Sequence, residues 1–349
     1  MNRKLRFLVS VGLLAWFGWR TDWVQIGHAF AEMRITLWSA AVGLYLLTQI
    51  ISSLRWQLLA EPLGFRRSLP QYCAFYFIGM YFNLFLPTSV GGDVIRALYL
   101  DRRPGQRLAA FMSVFIDRFS GLLVLLALAC GATVFCPDRL PPWVAVSVWV
   151  TAGGAACGLA LLPVATRLIG KESFAAGEIG RKMRELALSF SQALSLFVRN
   201  PALALTTTIL SLAVQAANVL VVWLVGRALG MDVPASYYAI FVPMVTLLTL
   251  VPVSLNGMGV REGGIVLFLA PLGVSQANAV SLAFLWFCVF TVASLCGGAV
   301  YLLNAFSVGP EEQPHDGFVR GDSDQGRTGQ LESPAWSSPA SLGATRSGV

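Results

Sequence analysis

Phe85-Leu86-Pro87-Thr88-Ser89-Val90-Gly91-Gly92-Asp93-Val94-Ile95-Arg96 cuts an apolar run in two. Tyr72–Leu86 precedes the break and Val94–Leu100 follows it. Neither half supplies the ~20 apolar residues that a membrane-crossing helix needs. A second run breaks in the same way. Tyr237–Val251 meets Pro252, then Ser254-Leu255-Asn256-Gly257-Met258-Gly259-Val260-Arg261-Glu262-Gly263-Gly264, and resumes over Ile265–Pro271. Irregular backbone at membrane depth survives only where protein or water covers it. Each break therefore reads as the tip of a re-entrant, broken-helix element. Ordinary helices kinked at Pro are the alternative.

The rest of the chain supplies the membrane. Of its 349 residues, 56% are hydrophobic and only 12% charged, against roughly 25% charged in soluble domains. The mean hydropathy is +0.67. This excludes a soluble enzyme and excludes disorder over most of the chain. Six runs read as spans: Leu5–Trp19, Leu37–Leu54, Phe119–Cys136, Trp143–Pro163, Leu203–Gly226 and Ala279–Leu303. The first has the basic flank of a signal peptide. It lacks a small-residue cleavage site and carries Trp16, Trp19 and Trp23 as interfacial anchors, so it reads as a retained helix. The six Cys form no C-x-x-C pair, and His28 and His315 lie far apart. No P-loop is present. No metal or cofactor is expected.

Basic residues set the orientation. With both breaks turning back and the N-terminus cytoplasmic, 15 basic residues fall in inner loops, among them Arg55, Arg66, Arg67, Arg103, Arg107 and Arg199. Four fall outside: Arg20, Arg34, Arg139 and Arg227. That asymmetry obeys the positive-inside rule. The basic excess faces anionic inner-leaflet lipid, and no nucleic-acid partner is expected. The two halves, 37–136 and 203–303, are then inverted copies, each a span, a re-entrant element and a span. Broken segments at matching positions of inverted halves point to a transporter's binding site. The expected fold is all-α and integral to the membrane, with about six transmembrane helices, two re-entrant elements and an inverted repeat. A membrane domain over 1–306 contains a cytoplasmic amphipathic linker at about 164–200. In the linker, Met183, Leu186, Phe190, Leu194 and Phe197 share one stripe. A polar tail, 307–349, holds three Arg and six acids and reads as disordered.

Charges at membrane depth are functional candidates, because each is costly unless paired or wetted. Asp93 and Arg96 are three apart on one helix face. Arg261 and Glu262 open the half-helix at the second break, and Asn256 lies in the same break. Asp117 and Arg118 lie 10 and 11 residues beyond Arg107, which is about 15 Å along a helix. Half-helix N-termini offer free N–H groups, and Arg adds a planar fork suited to phosphate. Arg96 and Arg261 are expected to contact an anionic headgroup. Asp93 and Glu262 orient them, read a cationic group, or carry a proton. Asp117 and Arg118 brace the inner element, or pair simply to lock the fold. Arg55 is expected to snorkel to the interface, and Gly154-x-x-x-Gly158 to pack helices.

Both breaks carry a resemblance. Arg55-Trp56, Phe77 through Pro87 to Asp93 and Arg96, Asp117-Arg118-Phe119-Ser120-Gly121, and Pro252 through Arg261-Glu262-Gly263 resemble the flippase-like membrane domain of the lysylphosphatidylglycerol synthase family. The likeness runs from about Leu5 to Asn304. It implies a unit that moves polar, aminoacylated or glycosylated lipid between the leaflets of a bacterial inner membrane; the basic-residue asymmetry places both termini in the cytoplasm. The family's soluble synthase domain has no counterpart in the polar tail, so synthase activity is not implied. An accessory subunit of a phospholipid, glycolipid or hopanoid synthesis pathway, partnered with a lipid-synthesis enzyme, is the second reading. A membrane-embedded lipid transferase is the third, although no D-x-D or D-D-x-x-D motif supports it.

Overall fold

The computed structural model describes residues 23–86, 91–101, 103, 106–135, 142–169, 199–250 and 257–303, with isolated helical positions at 184, 188, 191 and 195. The expected span Leu5–Trp19, Asn256, most of the amphipathic linker and the tail lie outside the described residues. All regular structure among the described residues is helical. The helices are α1 (Trp23–Ala31), α2 (Ile35–Ala60), α3 (Leu69–Phe85), α4 (Gly91–Leu100), α5 (Arg107–Phe135), α6 (Pro142–Ile169), α7 (Pro201–Ala228), α8 (Ala235–Leu250), α9 (Val260–Leu269) and α10 (Gln276–Leu302). Four of them, α2, α5, α7 and α10, are long and apolar enough to cross a membrane. The expected span Trp143–Pro163 falls within α6, which continues to Ile169.

The two broken runs each double back. In the first, Asn83 near the end of α3 accepts a hydrogen bond from the Gly92 N–H at the start of α4, at 2.8 Å. Farther out, the Arg96 guanidinium covers the Tyr76 ring at 4.0 Å, and Tyr99 meets Phe75 at 5.7 Å. Contacts therefore climb α4 as they descend α3, which is an antiparallel helical hairpin. Glycine permits it: a Cβ on Gly92 would strike the Gly79 carbonyl, and one on Gly79 would strike Arg96. The second hairpin repeats the plan. Gly257 meets Thr249, Gly264 meets Val245, and the Tyr237 hydroxyl donates to the Phe268 carbonyl at 2.6 Å. Each return helix, α4 and α9, has ten residues, which is ~15 Å or about half the ~30 Å hydrocarbon core.

The hairpins enter from opposite faces. Helices α2 and α7 run antiparallel: the Arg34 N–H meets the Ala228 carbonyl at 2.9 Å, and Arg55 reaches Ser211 at 2.8 Å. Each hairpin follows the end of its own long helix, so the two dip inward from opposing sides. The face at the end of α2 gathers Arg66, Arg67, Arg103, Arg107 and Arg199; the other holds Arg34 and Arg227. Spacing shows the same internal repeat. Gly64 (φ 94°) precedes Tyr72 by eight residues, and Gly230 (φ 72°) precedes Tyr238 by eight. Both tyrosines are buried at the hairpin bases. Pro87 precedes Arg96 by nine residues, and Pro252 precedes Arg261 by nine.

One sequence expectation fails here. Arg55 does not snorkel. It lies inside α2, is 5% exposed, and points into the protein, so it leaves the tally of loop cations. Gly154 and Gly158 meet nothing within 4 Å among the described residues, and the expected span Leu5–Trp19 lies outside them. A close helix approach is made at Gly297 of α10. A Cβ there would run into the backbone of Phe77 in the first hairpin.

Candidate functional site

Five ionised side chains from three helices meet where the first hairpin returns. Asp117 of α5 has no exposed surface. Its carboxylate accepts from Arg55 Nε of α2 at 2.9 Å and from Arg96 Nη2 of α4 at 3.1 Å. Asp93, one turn before Arg96, accepts from Arg96 Nη1 at 3.3 Å. It also receives a two-pronged approach from Arg118, with Nε at 3.0 and 3.1 Å and Nη2 at 2.9 Å. Arg55 completes its contacts through Nη1, which donates to Ser211 Oγ on α7 at 2.8 Å. Sequence neighbours divide the work: Asp117 faces inward to two arginines, while Arg118 reaches the other carboxylate.

The surroundings explain how so much charge is tolerated. Arg96 is 1% exposed and lies between two rings, 4.2 Å from Trp56 and 4.0 Å from Tyr76. Each such stacking contributes about 2 kcal/mol when desolvated. The Trp56 indole donates to Ser113 Oγ at 3.1 Å, and Tyr72 packs edge-on to it at 4.8 Å, which fixes the ring plane. Gly121 leaves room for the Arg55 guanidinium, which a Cβ would meet at 3.1 Å. Buried ion pairs recover their desolvation cost only with such complete bonding. One atom lacks it: Arg96 Nε is buried with no partner. Among the described residues the cluster holds three Arg and two Asp, so one positive charge is in excess. The exposed member is Arg118, whose side chain is 49% accessible.

The second hairpin is simpler. Arg261 Nη2 donates to its neighbour Glu262 at 2.7 Å. The other Glu262 oxygen accepts from the Gly259 N–H at 2.6 Å, capping α9 with its own first turn. Gly257 (φ 72°) and Gly259 (φ 83°) supply the left-handed backbone that this tight start requires. Arg261 Nε is buried and unpartnered, and its guanidinium lies 5.1 Å from the Phe287 ring. From Phe287 a line of rings leads to Phe290 at 6.3 Å and on to Tyr45 at 6.5 Å. A line of rings therefore leads from Arg261 to α2, the helix that also carries Arg55.

The expected residues therefore separate into two groups. Asp93, Arg96, Asp117 and Arg118 come together; Arg261 and Glu262 form their own pair. Asp117 and Arg118 do not pair with each other. Sequence reasoning missed Ser211 and Tyr76, gave Trp56 no role beyond the family motif, and placed Arg55 in the wrong environment. A signal existed for Tyr76, which lies one helical turn beyond Tyr72 on the face that α4 covers. Ser211 lies 156 residues from Arg55 and carries no local signal. No group of three metal-ligating side chains occurs among the described residues.

Residues 4–298 match the family model described as the lysylphosphatidylglycerol synthase TM region. Searches of curated proteins and of solved structures returned no match.

Proposed function

The chain belongs to the family of lysylphosphatidylglycerol synthase transmembrane regions, and from that premise we propose that it is a translocase moving a polar-headed lipid between leaflets. Its long apolar helices and its family make it a multi-pass membrane protein. The observation that carries the reading is Arg118. A half-exposed guanidinium, ten residues and more inside α5, belongs to a cluster with one positive charge in excess. Such a group attracts an anionic headgroup to a depth where bare lipid would repel it. Arg261 offers a second station on the opposite hairpin, and a ring line leads from it through Phe287 and Phe290 to Tyr45 on α2.

In this reading the roles shift from one arginine to its neighbour. Arg96 is enclosed and acts as a positioning residue; Arg118 and Arg261 touch phosphate. Asp117 holds Arg96 and Arg55, and Glu262 orients Arg261. The lipid tails remain in the bilayer while the headgroup passes. The chain is a transporter rather than an enzyme. It resides in the bacterial inner membrane with the arginine-rich face of α2, α5 and α7 toward the cytoplasm, where anionic lipid favours it.

Reconstitution tests the proposal. Purified chain in phosphatidylglycerol vesicles should expose an inner-leaflet fluorescent phosphatidylglycerol to dithionite. Arg118→Gln and Arg261→Gln should each slow that exposure at least tenfold while the protein inserts and melts as before. Wild-type rates in both variants would sink the translocase.

A further inference from the structure

The headgroup site contains its own substitute for a headgroup. Arg118 directs Nε and Nη2 at both oxygens of Asp93, at 2.9–3.1 Å. That is the fork geometry a guanidinium also presents to phosphate. Asp93 therefore occupies the position a phosphate would take. Asp117 has no such role, since it is fully enclosed between Arg55 and Arg96.

Asp93 also has somewhere to go. Arg96 Nη1 is already 3.3 Å away, and Arg96 Nε has no partner. Arg96 keeps its position without Asp93, because Asp117, Trp56 and Tyr76 hold it. Release of Arg118 therefore leaves Asp93 paired inside the cluster.

The charge count then sets what the site accepts. Three arginines and two aspartates leave one positive charge among the described residues. Uncompensated charge at this depth is expensive in either sign. A phosphodiester, with a single negative charge, neutralises the cluster. A phosphomonoester carries about −1.5 to −2 near neutral pH and overshoots. We propose that Asp93 is the specificity-determining residue of this site: it holds the Arg118 fork at rest, yields it to phosphate by moving onto Arg96, and by remaining in the cluster restricts the site to singly charged phosphodiester headgroups. This rests on the reading of Arg118 as a headgroup contact.

The test is binding, separate from transport. The full chain in detergent is titrated calorimetrically with dihexanoyl phosphatidylglycerol, a diester, and dihexanoyl phosphatidate, a monoester, at pH 8.5. The wild type should prefer the diester at least tenfold. Asp93→Asn, with two positive charges in excess, should reverse that preference at least tenfold. Arg118→Gln should lose the diester preference and at least tenfold in phosphatidylglycerol affinity, the remainder belonging to Arg261, while melting as the wild type does. Glycerophosphoglycerol, the same diester without tails, should bind more weakly than the lipid; equal affinity would overturn the lipid as the ligand. No diester preference in the wild type, or an unchanged preference in folded Asp93→Asn, overturns the charge count. If Asp93→Asn does not fold, the wild-type comparison decides. Diester-selective binding without lipid exchange in vesicles would sink the translocase and leave the role of Asp93 standing. Exchange without diester selectivity would do the reverse.

Discussion

The two hairpins share a plan and differ in what fastens them. The first is fastened by ionic bonds from α4 to α5, which α5 passes on to α2. The second keeps its charges to itself: Arg261 pairs with the adjacent Glu262, and Glu262 caps its own helix. Among the described residues it is held to the other helices by apolar packing and the Arg261–Phe287 contact. Ion pairs between helices resist sliding because separation strands a charge in a poor solvent. Apolar contacts hold helices together by close packing instead, and the second hairpin buries Phe241, Val245, Ile265 and Phe268 in the main core. The first hairpin is thus fastened by charge and the second by packing.

The inversion itself gives the largest effect. Arg66 and Asp232 flank the bases of the first and second hairpins and are both exposed. Single cysteines there, in a background with the native Cys replaced, should label with an impermeant maleimide from opposite sides of sealed vesicles. Labelling of both from one side would break the comparison at its root, because the hairpins would no longer be inverted copies.

Asp117→Asn comes next. It removes the negative charge that buried Arg55 and Arg96 share and leaves one of them without its acceptor, and breaking a buried pair typically costs about 3–5 kcal/mol. Glu262→Gln keeps the cap and removes only a bond to a neighbour on the same helix. It should cost well under half as much, since an ordinary hydrogen bond contributes about 1 kcal/mol. Thermal melting in detergent measures both. Equal losses would mean that the first hairpin is not specially fastened.

Much of this contrast was hidden in the sequence, and the reason is physical. The breaks were legible at Pro87 and Pro252 because proline, glycine and ionised residues together interrupt an apolar run that would otherwise continue as one helix. The inversion was legible because arginines keep to one face. The partners were not. Asp93 and Arg96 share a turn, so their pairing follows from spacing. Arg55 and Asp117 are 62 residues apart, and only tertiary packing brings them together. Arg55 lies five residues from the end of α2, a position from which a side chain of that length reaches the interface. Which way it turns depends on Gly121 and Ser211, which belong to other helices. Distance from a helix end predicted its depth and said nothing about its direction.

Smaller again is Tyr237→Phe. The hydroxyl closes the second hairpin at its base through the Phe268 carbonyl. Its loss should lower stability by about 1 kcal/mol and increase hydrogen exchange in α9 more than in α4. A matched rise in both helices would show the two hairpins to be coupled rather than separately fastened.

The smallest effect lies just outside the first hairpin. Asp101 follows α4 and accepts from Arg103 through both oxygens, the shortest bond being 2.7 Å. Hydrogen bonds from Arg103 hold its carboxyl below the usual carboxylate range. A depressed folded-state value adds stability that is fully present above the unfolded value, about 3.9, and is lost as pH falls through the folded one. Arg103 is 70% exposed, and its charge is well screened. The contribution should therefore stay below about 1 kcal/mol. Melting of the wild type and Asp101→Asn should differ by a constant small amount from pH 7 to about 5, and converge below about 4. If the difference grew with acid, the sign would be wrong. If it were as large as that of Asp117→Asn, the hairpin would be fastened at its exposed end, and the buried cluster would lose its claim to be what sets the two halves apart.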